Sequence, residues 1–176
     1  VLPVVDLLGG RVVRGIAGRR EEYRPIVSRL CADSSPASVG GALAEQFSFG
    51  EAYVADLDAI AGRDPDWKSY EALGDCGLRL WVDAGLKNLE QARALIDRPS
   101  KVTIKRVIVG LESLESSDSL AEMLALLGSD RLVFSLDLKD GQPITRVPDW
   151  HNAKPEEIAR EVFELGIRSM IVLDLA

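Results

Sequence analysis

The sequence predicts an α/β fold of the TIM (β/α)8 barrel kind, present as about six βα units. Three observations carry this expectation. Short runs rich in Val, Ile and Leu alternate with amphipathic stretches, an aspartate closes five of the six runs, and the opening of the chain is echoed near its end.

The runs Leu2–Leu8, Ala52–Asp58, Leu78–Asp83, Arg106–Gly110, Leu132–Leu138 and Ser169–Leu175 read as strands. Their near-continuous apolar character is that of strands buried on both faces, the pattern of a parallel sheet. Helical patterns lie between them. Pro36–Phe47 carries Val39, Leu43 and Phe47 at four-residue spacing, and Asn88–Ile96 opens on an asparagine suited to an N-cap. Ser117–Leu127 places Leu120, Met123, Leu124 and Leu127 on one face. Pro155–Leu165 starts with proline and then two glutamates, which favour the positive end of a helix dipole. Strand and helix in strict alternation mean repeated βα units.

The strand ends separate a barrel from an open nucleotide-binding sheet. Asp6, Asp56 (with Asp58), Asp83, Asp137 and Asp174 stand at or near the carboxyl ends of their strands. A carboxylate there is costly inside and cheap at a solvated rim, and a (β/α) barrel builds its active site on that rim. Leu7-Leu8-Gly9-Gly10 after Asp6 lacks the G-x-G-x-x-G spacing of a dinucleotide loop. The repeat sharpens the assignment. Val5-Asp6-Leu7 and the following glycines resemble Leu136-Asp137-Leu138 with Gly141, and Val54-Ala55-Asp56-Leu57 resembles Val172-Leu173-Asp174-Leu175. The pairs are separated by 131 residues (6 to 137) and 118 residues (56 to 174), as one module copied with loop changes would be.

The expected organisation is a single, partial barrel domain over residues 1–176, with repeat halves 1–131 and 132–176 and the second half cut short. A closed barrel typically takes about 250 residues. Two uncovered sheet edges then favour self-association.

Composition excludes other classes. The 28 acidic against 21 basic residues give a net charge of −7, which disfavours nucleic acid as a partner. No apolar run approaches the roughly 18 residues that span a bilayer, so no membrane partner is expected. One histidine and two cysteines, Cys31 and Cys76, can build neither a His-rich metal site nor a disulfide framework. The opening residues lack the basic region of a secretory signal. The expectation is a cytoplasmic protein with reduced thiols, a small-molecule partner (a sugar phosphate or a heterocycle), and neither metal nor cofactor.

The segments PVVDLLGGRVVRG, YVADLDAI, VFSLDLKDG, PDWHN and MIVLDLA together resemble the histidine-biosynthesis barrels, ProFAR isomerase and the cyclase of imidazole glycerol phosphate synthase. The similarity runs in order along the whole chain and stops where the last two βα units of that family would follow. In detail it is greatest to isomerase-related paralogues, from methanogens and one-carbon-metabolising bacteria, whose reaction is not settled.

The resemblance implies an Amadori rearrangement of an aminoaldose to an aminoketose on a phosphorylated ribosyl compound. One carboxylic acid opens the ribose ring and one carboxylate removes the neighbouring carbon-bound proton, which requires separated pKa values but no metal or cofactor. It assigns the base to Asp6 and the acid to Asp137, with Asp174 as a further catalytic aspartate that could be the acid instead. Asp56, Asp83, Gly85 and Gly110 are the candidate substrate-binding residues at the strand ends, and the resemblance matches Trp150 to a tryptophan that covers the substrate from a mobile loop. Trp150 could equally be packed onto a helix. Arg14 and Arg19, in the first loop, could hold a phosphate or carboxylate, and solvated arginines are the alternative. His151 reads as a surface residue.

Two departures are written in the sequence. The family holds one phosphate on glycine-rich turns after the third and fourth strands, where backbone N–H groups face the anion. Here those turns read Asp83-Ala84-Gly85 and Gly110-Leu111-Glu112. A like charge at about 4 Å costs about 1 kcal/mol even in water, so Asp83 and Glu112 disfavour a phosphate in this half. Two alternatives therefore stand beside the isomerase: a lyase- or transferase-type step of one-carbon cofactor biosynthesis on an amine-bearing substrate, and a non-catalytic binding or assembly barrel.

Overall fold

Two glycines shape the start of the chain. Strand β1 (Val4–Leu8) turns through Gly9 and Gly10 into the antiparallel strand β2 (Arg11–Arg14). Both glycines have positive φ (58° and 73°), the two-residue hairpin conformation that side chains resist. The hairpin was not among the expected elements, although a Gly-Gly pair is its signature. The computed structural model describes residues 1–16 and 19–175; Ala176, the last residue of the second repeat half, lies outside the described residues.

Contacts divide the chain into two compact units where the sequence suggests one domain: Val1–Ala84 with Pro99–Lys105, and Gly85–Arg98 with Arg106–Ala176. The first unit adds β3 (Arg24–Pro25), α1 (Pro36–Phe47), β4 (Glu51–Asp56), α2 (Leu57–Ile60), α3 (Trp67–Asp75) and β5 (Arg79–Asp83). Its strand order is β3-β2-β1-β4-β5, with β1, β4 and β5 parallel. Val5, Leu7, Val54, Leu80 and Val82 are buried, as are Tyr70 and Leu73 of α3. Helix α1 matches its expected span and is capped by the Ser35 hydroxyl accepting from the Ser38 amide.

Strand β4 is two residues shorter at its carboxyl end than expected. The Asp56 side chain accepts from the Ala59 amide and starts α2 there, which puts Asp58 in a helical turn and not on a strand. Helix α3 was not anticipated either. Its apolar stripe is short (Trp67, Tyr70, Leu73), and its clearest signal is the Asp66 N-cap on Ser69.

The second unit holds α4 (Leu89–Ile96), most of β6 (Ile104–Gly110), α5 (Ser117–Leu127), β7 (Leu132–Lys139), β8 (Gln142–Pro143), α6 (Pro155–Glu164) and β9 (Met170–Asp174). Strands β6, β7 and β9 run parallel, and β8 folds back on β7. Val107, Val109, Phe134 and Leu136 form buried strand positions, covered by Leu120 and Met123 of α5 and Ile158 and Val162 of α6. Strand β9 departs from the two-face burial expected of it: Val172 and Leu173 are 63% and 45% exposed.

The register gives the repeat a structural form. Leu7 of β1 pairs with Asp56 of β4, and Leu138 of β7 pairs with Asp174 of β9. These four residues keep the spacings of 131 and 118 seen in the sequence. The hairpins agree as well, since Asp140 and Gly141 take positive φ (51° and 74°) where Gly9 and Gly10 do.

Candidate active-site residues

Asp6 sits in the middle of β1, between Val13 of β2 and Ala55 of β4. Both neighbours belong to an apolar cluster with Leu57, flanked by Leu8, Tyr23, Tyr53 and Ile60. Burial in these surroundings pushes the Asp6 carboxyl above the usual carboxylate range. A base of that kind binds its proton more tightly than a free carboxylate does. Gly15 passes directly over it: a Cβ at Gly15 would stand 2.9 Å from Asp6 Oδ2 and 3.7 Å from the Tyr23 hydroxyl. A side chain at this position would have to displace the Asp6 carboxyl.

Asp56, expected to bind substrate, is fully buried. Its Oδ2 accepts from the Asp66 amide (2.7 Å) and the Tyr70 hydroxyl (2.6 Å), and its Oδ1 from the Ala59 amide (3.1 Å). A buried carboxylate enclosed by three donors organises the loop after β4. Burial and the adjacent Asp56 push the Tyr70 hydroxyl pKa strongly upward, keeping it a donor. Asp58, two residues on, accepts from the Gly9 amide (2.6 Å) and from Arg63 Nη1 (2.6 Å). It ties the β1–β2 turn to α2.

Asp83 ends β5, half-exposed, and accepts from the Tyr53 hydroxyl at 3.2 Å. Arg14 is exposed and lies opposite Arg24. Because Asp6 pairs with Val13, strand alternation sets Arg14 on the face opposite Asp6. Arg19 is exposed and paired with Glu22 at 3.1 Å.

In the second unit Asp137 is the best-defined group. It is 7% exposed near the end of β7. Ser135 Oγ donates to Oδ1 at 2.6 Å and the Glu112 amide to Oδ2 at 3.3 Å. Burial raises its pKa to about 6; the Ser135 hydroxyl and the amides of Glu112 and Leu111 work against the rise, and the Glu112 carboxylate adds to it. A carboxyl titrating there can both give and take a proton near neutrality. Among the expected residues, Asp6 and Asp137 are the two shown to have a raised pKa.

Gly110 closes β6 opposite Ser135 and is buried, and Gly85 takes a left-handed φ of 63° before α4. The amides after Gly110 are engaged within the chain. Leu111 donates to the Ser135 carbonyl, Glu112 to Asp137, Ser113 and Leu114 to the Gly110 carbonyl, and Glu115 to the Lys87 carbonyl.

Asp174 lies exposed at the end of β9, and its Oδ2 accepts from the Gly141 amide at 2.9 Å. It holds the β7–β8 turn as Asp58 holds the β1–β2 turn. Trp150 is 1% exposed, edge-on to Phe134 with ring centroids 6.2 Å apart, and its indole N–H donates to Glu161 of α6 at 2.6 Å. This is the packed one of the two arrangements the sequence leaves open, with the ring held between the core and α6. His151 is exposed. Among the described residues no three His, Cys, Asp or Glu side chains are placed to hold a metal ion, and no helix is long and apolar enough to cross a membrane.

Sequence reasoning missed Ser135, Tyr70 and Gly15. Ser135 had a local signal, because it stands two residues before Asp137 and strand alternation puts both on one face.

Parallel strands alternating with helices, with aspartates at or near strand ends, make an α/β chain consistent with a partial barrel of the TIM class. The comparisons place it further. The family model described as histidine biosynthesis protein matches residues 1–176, and the chain belongs to that family. Over its whole length the chain is 30% identical to the 1-(5-phosphoribosyl)-5-((5-phosphoribosylamino)methylideneamino)imidazole-4-carboxamide isomerase (ProFAR isomerase) of Carboxydothermus hydrogenoformans, covering 69% of that protein. It is 26% identical to the isomerase of the same name from Alkaliphilus metalliredigens, with all of the chain and 70% of the relative covered. An uncharacterized protein of Methanocaldococcus jannaschii is 32% identical over 80% of the chain and 57% of its own length. The chain thus spans between about half and about 70% of the length of these relatives.

Proposed function

We propose that this chain belongs to an enzyme converting an aminoaldose to an aminoketose on a phosphorylated ribosyl compound, by carboxylate acid–base catalysis in the cytoplasm. The observation that carries the reading is Asp137, a buried carboxyl with its pKa raised to about 6. The isomerase activity named for the relatives supplies the reaction class.

In this reading Asp137 is the acid and Asp6 the base. Asp137 protonates the ribose ring oxygen, the ring opens to a Schiff base, and Asp6 takes the proton from the neighbouring carbon. As the enolamine becomes the ketone, Asp6 delivers its proton to the carbon that bears nitrogen and the neighbouring hydroxyl gives its proton to Asp137. Both carboxyls are restored, and the sum is an isomerisation with no oxidant or reductant. Asp174, whose carboxylate holds the Gly141 amide, serves the β7–β8 turn. The test is incubation of the purified protein with the aminoaldose, followed by chromatography. Formation of the aminoketose supports the reading, and unchanged substrate under conditions where a relative converts it refutes it.

One observation favours a second reading, a lyase- or transferase-type step on an amine-bearing substrate. The amides of residues 111–115 are all engaged within the chain, and Glu112 adds a carboxylate beside Asp137, which suits a donor group better than a phosphate at this turn. Turnover of an analogue lacking one phosphate, in preference to the doubly phosphorylated compound, would select it.

A further inference from the structure

We propose that Ser135 is the positioning residue of Asp137, its hydroxyl fixing the orientation of the carboxylate and sharing its charge. The two residues are i and i+2 on β7, so the strand holds both side chains on one face. Ser135 is 2% exposed, and its Oγ lies 2.6 Å from Asp137 Oδ1, the short distance of a hydroxyl on an anionic oxygen. Its main chain is fixed as well, because the Ser135 carbonyl accepts from the Leu111 amide and Gly110 pairs with Ser135 across the sheet.

Among the described residues, the other groups shown to act on the Asp137 carboxyl are backbone amides and the Glu112 carboxylate. The Glu112 amide holds the other carboxylate oxygen at the longer distance of 3.3 Å. The charged neighbour is the Glu112 carboxylate itself, which repels. From β9 the residue opposite is Leu173, and β8 offers Gln142 and Pro143. Helices α5 and α6 bury Leu120, Met123 and Leu127, and Ile158 and Val162. Without Ser135 the burial of Asp137 is opposed by backbone amides alone, so its proton is held more tightly. The catalytic part of this assignment rests on Asp137 being the acid of the proposed reaction; the titration part does not.

The experiment follows the Asp137 carboxyl by carbon-13 NMR against pH in the wild-type protein, Ser135→Ala and Ser135→Thr, with circular dichroism to establish folding. Ser135→Ala is expected to move the midpoint upward by about half to one pH unit, and Ser135→Thr, which keeps the hydroxyl, to restore it. In the isomerase assay the alkaline limb of kcat should move up with it, with KM little changed. A midpoint that stays put or falls in Ser135→Ala overturns the assignment. A raised midpoint in a protein that leaves the aminoaldose untouched supports Ser135 as the positioning residue and overturns the functional reading.

Discussion

Asp137 concentrates the conflict between stability and chemistry in a single side chain. Its pKa lies at about 6 in the fold against 3.8 for an unburied carboxyl, so the folded chain prefers it protonated. A raised value of this kind stabilises the fold fully below about pH 4, and that contribution is lost as pH rises through 6. Two units correspond to roughly 2–3 kcal/mol. Asp137→Asn, which mimics the neutral form, should therefore gain about 2 kcal/mol in urea unfolding at pH 8 and almost nothing at pH 4. A loss at pH 8 would contradict the burial account. Much of this scale was legible in advance. The strand-end pattern drew attention to five aspartates alike, and the family resemblance singled out Asp6 and Asp137 among them; Asp6 lies in the middle of β1. The burial of Asp56 was not legible, since its three donors come from residues 59, 66 and 70, on helices and turns whose packing no local pattern announces. The sequence left Trp150 open for a similar reason: a polar, proline-containing loop does not announce that Phe134 and Glu161 draw the ring inward.

At the scale of elements, the two β-hairpins show how the repeat is built. Each has two residues of positive φ at its tip, and in each a carboxylate accepts an amide of the turn: Asp58 of α2 from Gly9, and Asp174 at the end of β9 from Gly141. The spacing of the aspartates revealed the repeat in the sequence, and the pairing of Leu7 with Asp56 and of Leu138 with Asp174 gives it a register. The hairpins themselves were missed because Gly-Gly was weighed only as a nucleotide loop. Asp174→Ala should speed hydrogen exchange of the Gly141 amide while leaving exchange in β7 unchanged. Gly141→Ala should cost about 1–2 kcal/mol, from forcing a side chain into left-handed backbone. Unchanged exchange in Asp174→Ala would show that the carboxylate does not hold the turn.

Across the whole molecule, parallel strands alternating with helices were readable from composition and periodicity, because strands buried on both faces leave a continuous apolar signature. Strand β9 carries that signature while Val172 and Leu173 stand exposed, which leaves an apolar face at this strand. The 176-residue chain is therefore expected to self-associate in light scattering, and Val172→Lys to weaken the association. A monodisperse monomer at tens of micromolar would contradict this. We further propose that residues 132–176 repeat the opening units of the module formed by residues 1–131, and that each of the two segments contributes one carboxylate to the chemistry.

That division of labour is tested most directly by single-turnover rates on the aminoaldose for Asp6→Asn and Asp137→Asn, each checked for folding by circular dichroism. Both variants should stay folded, and each should lose about 10²–10⁴-fold in the rate of aminoketose formation. Either variant turning over at the wild-type rate would contradict the assignment of base to Asp6 and acid to Asp137.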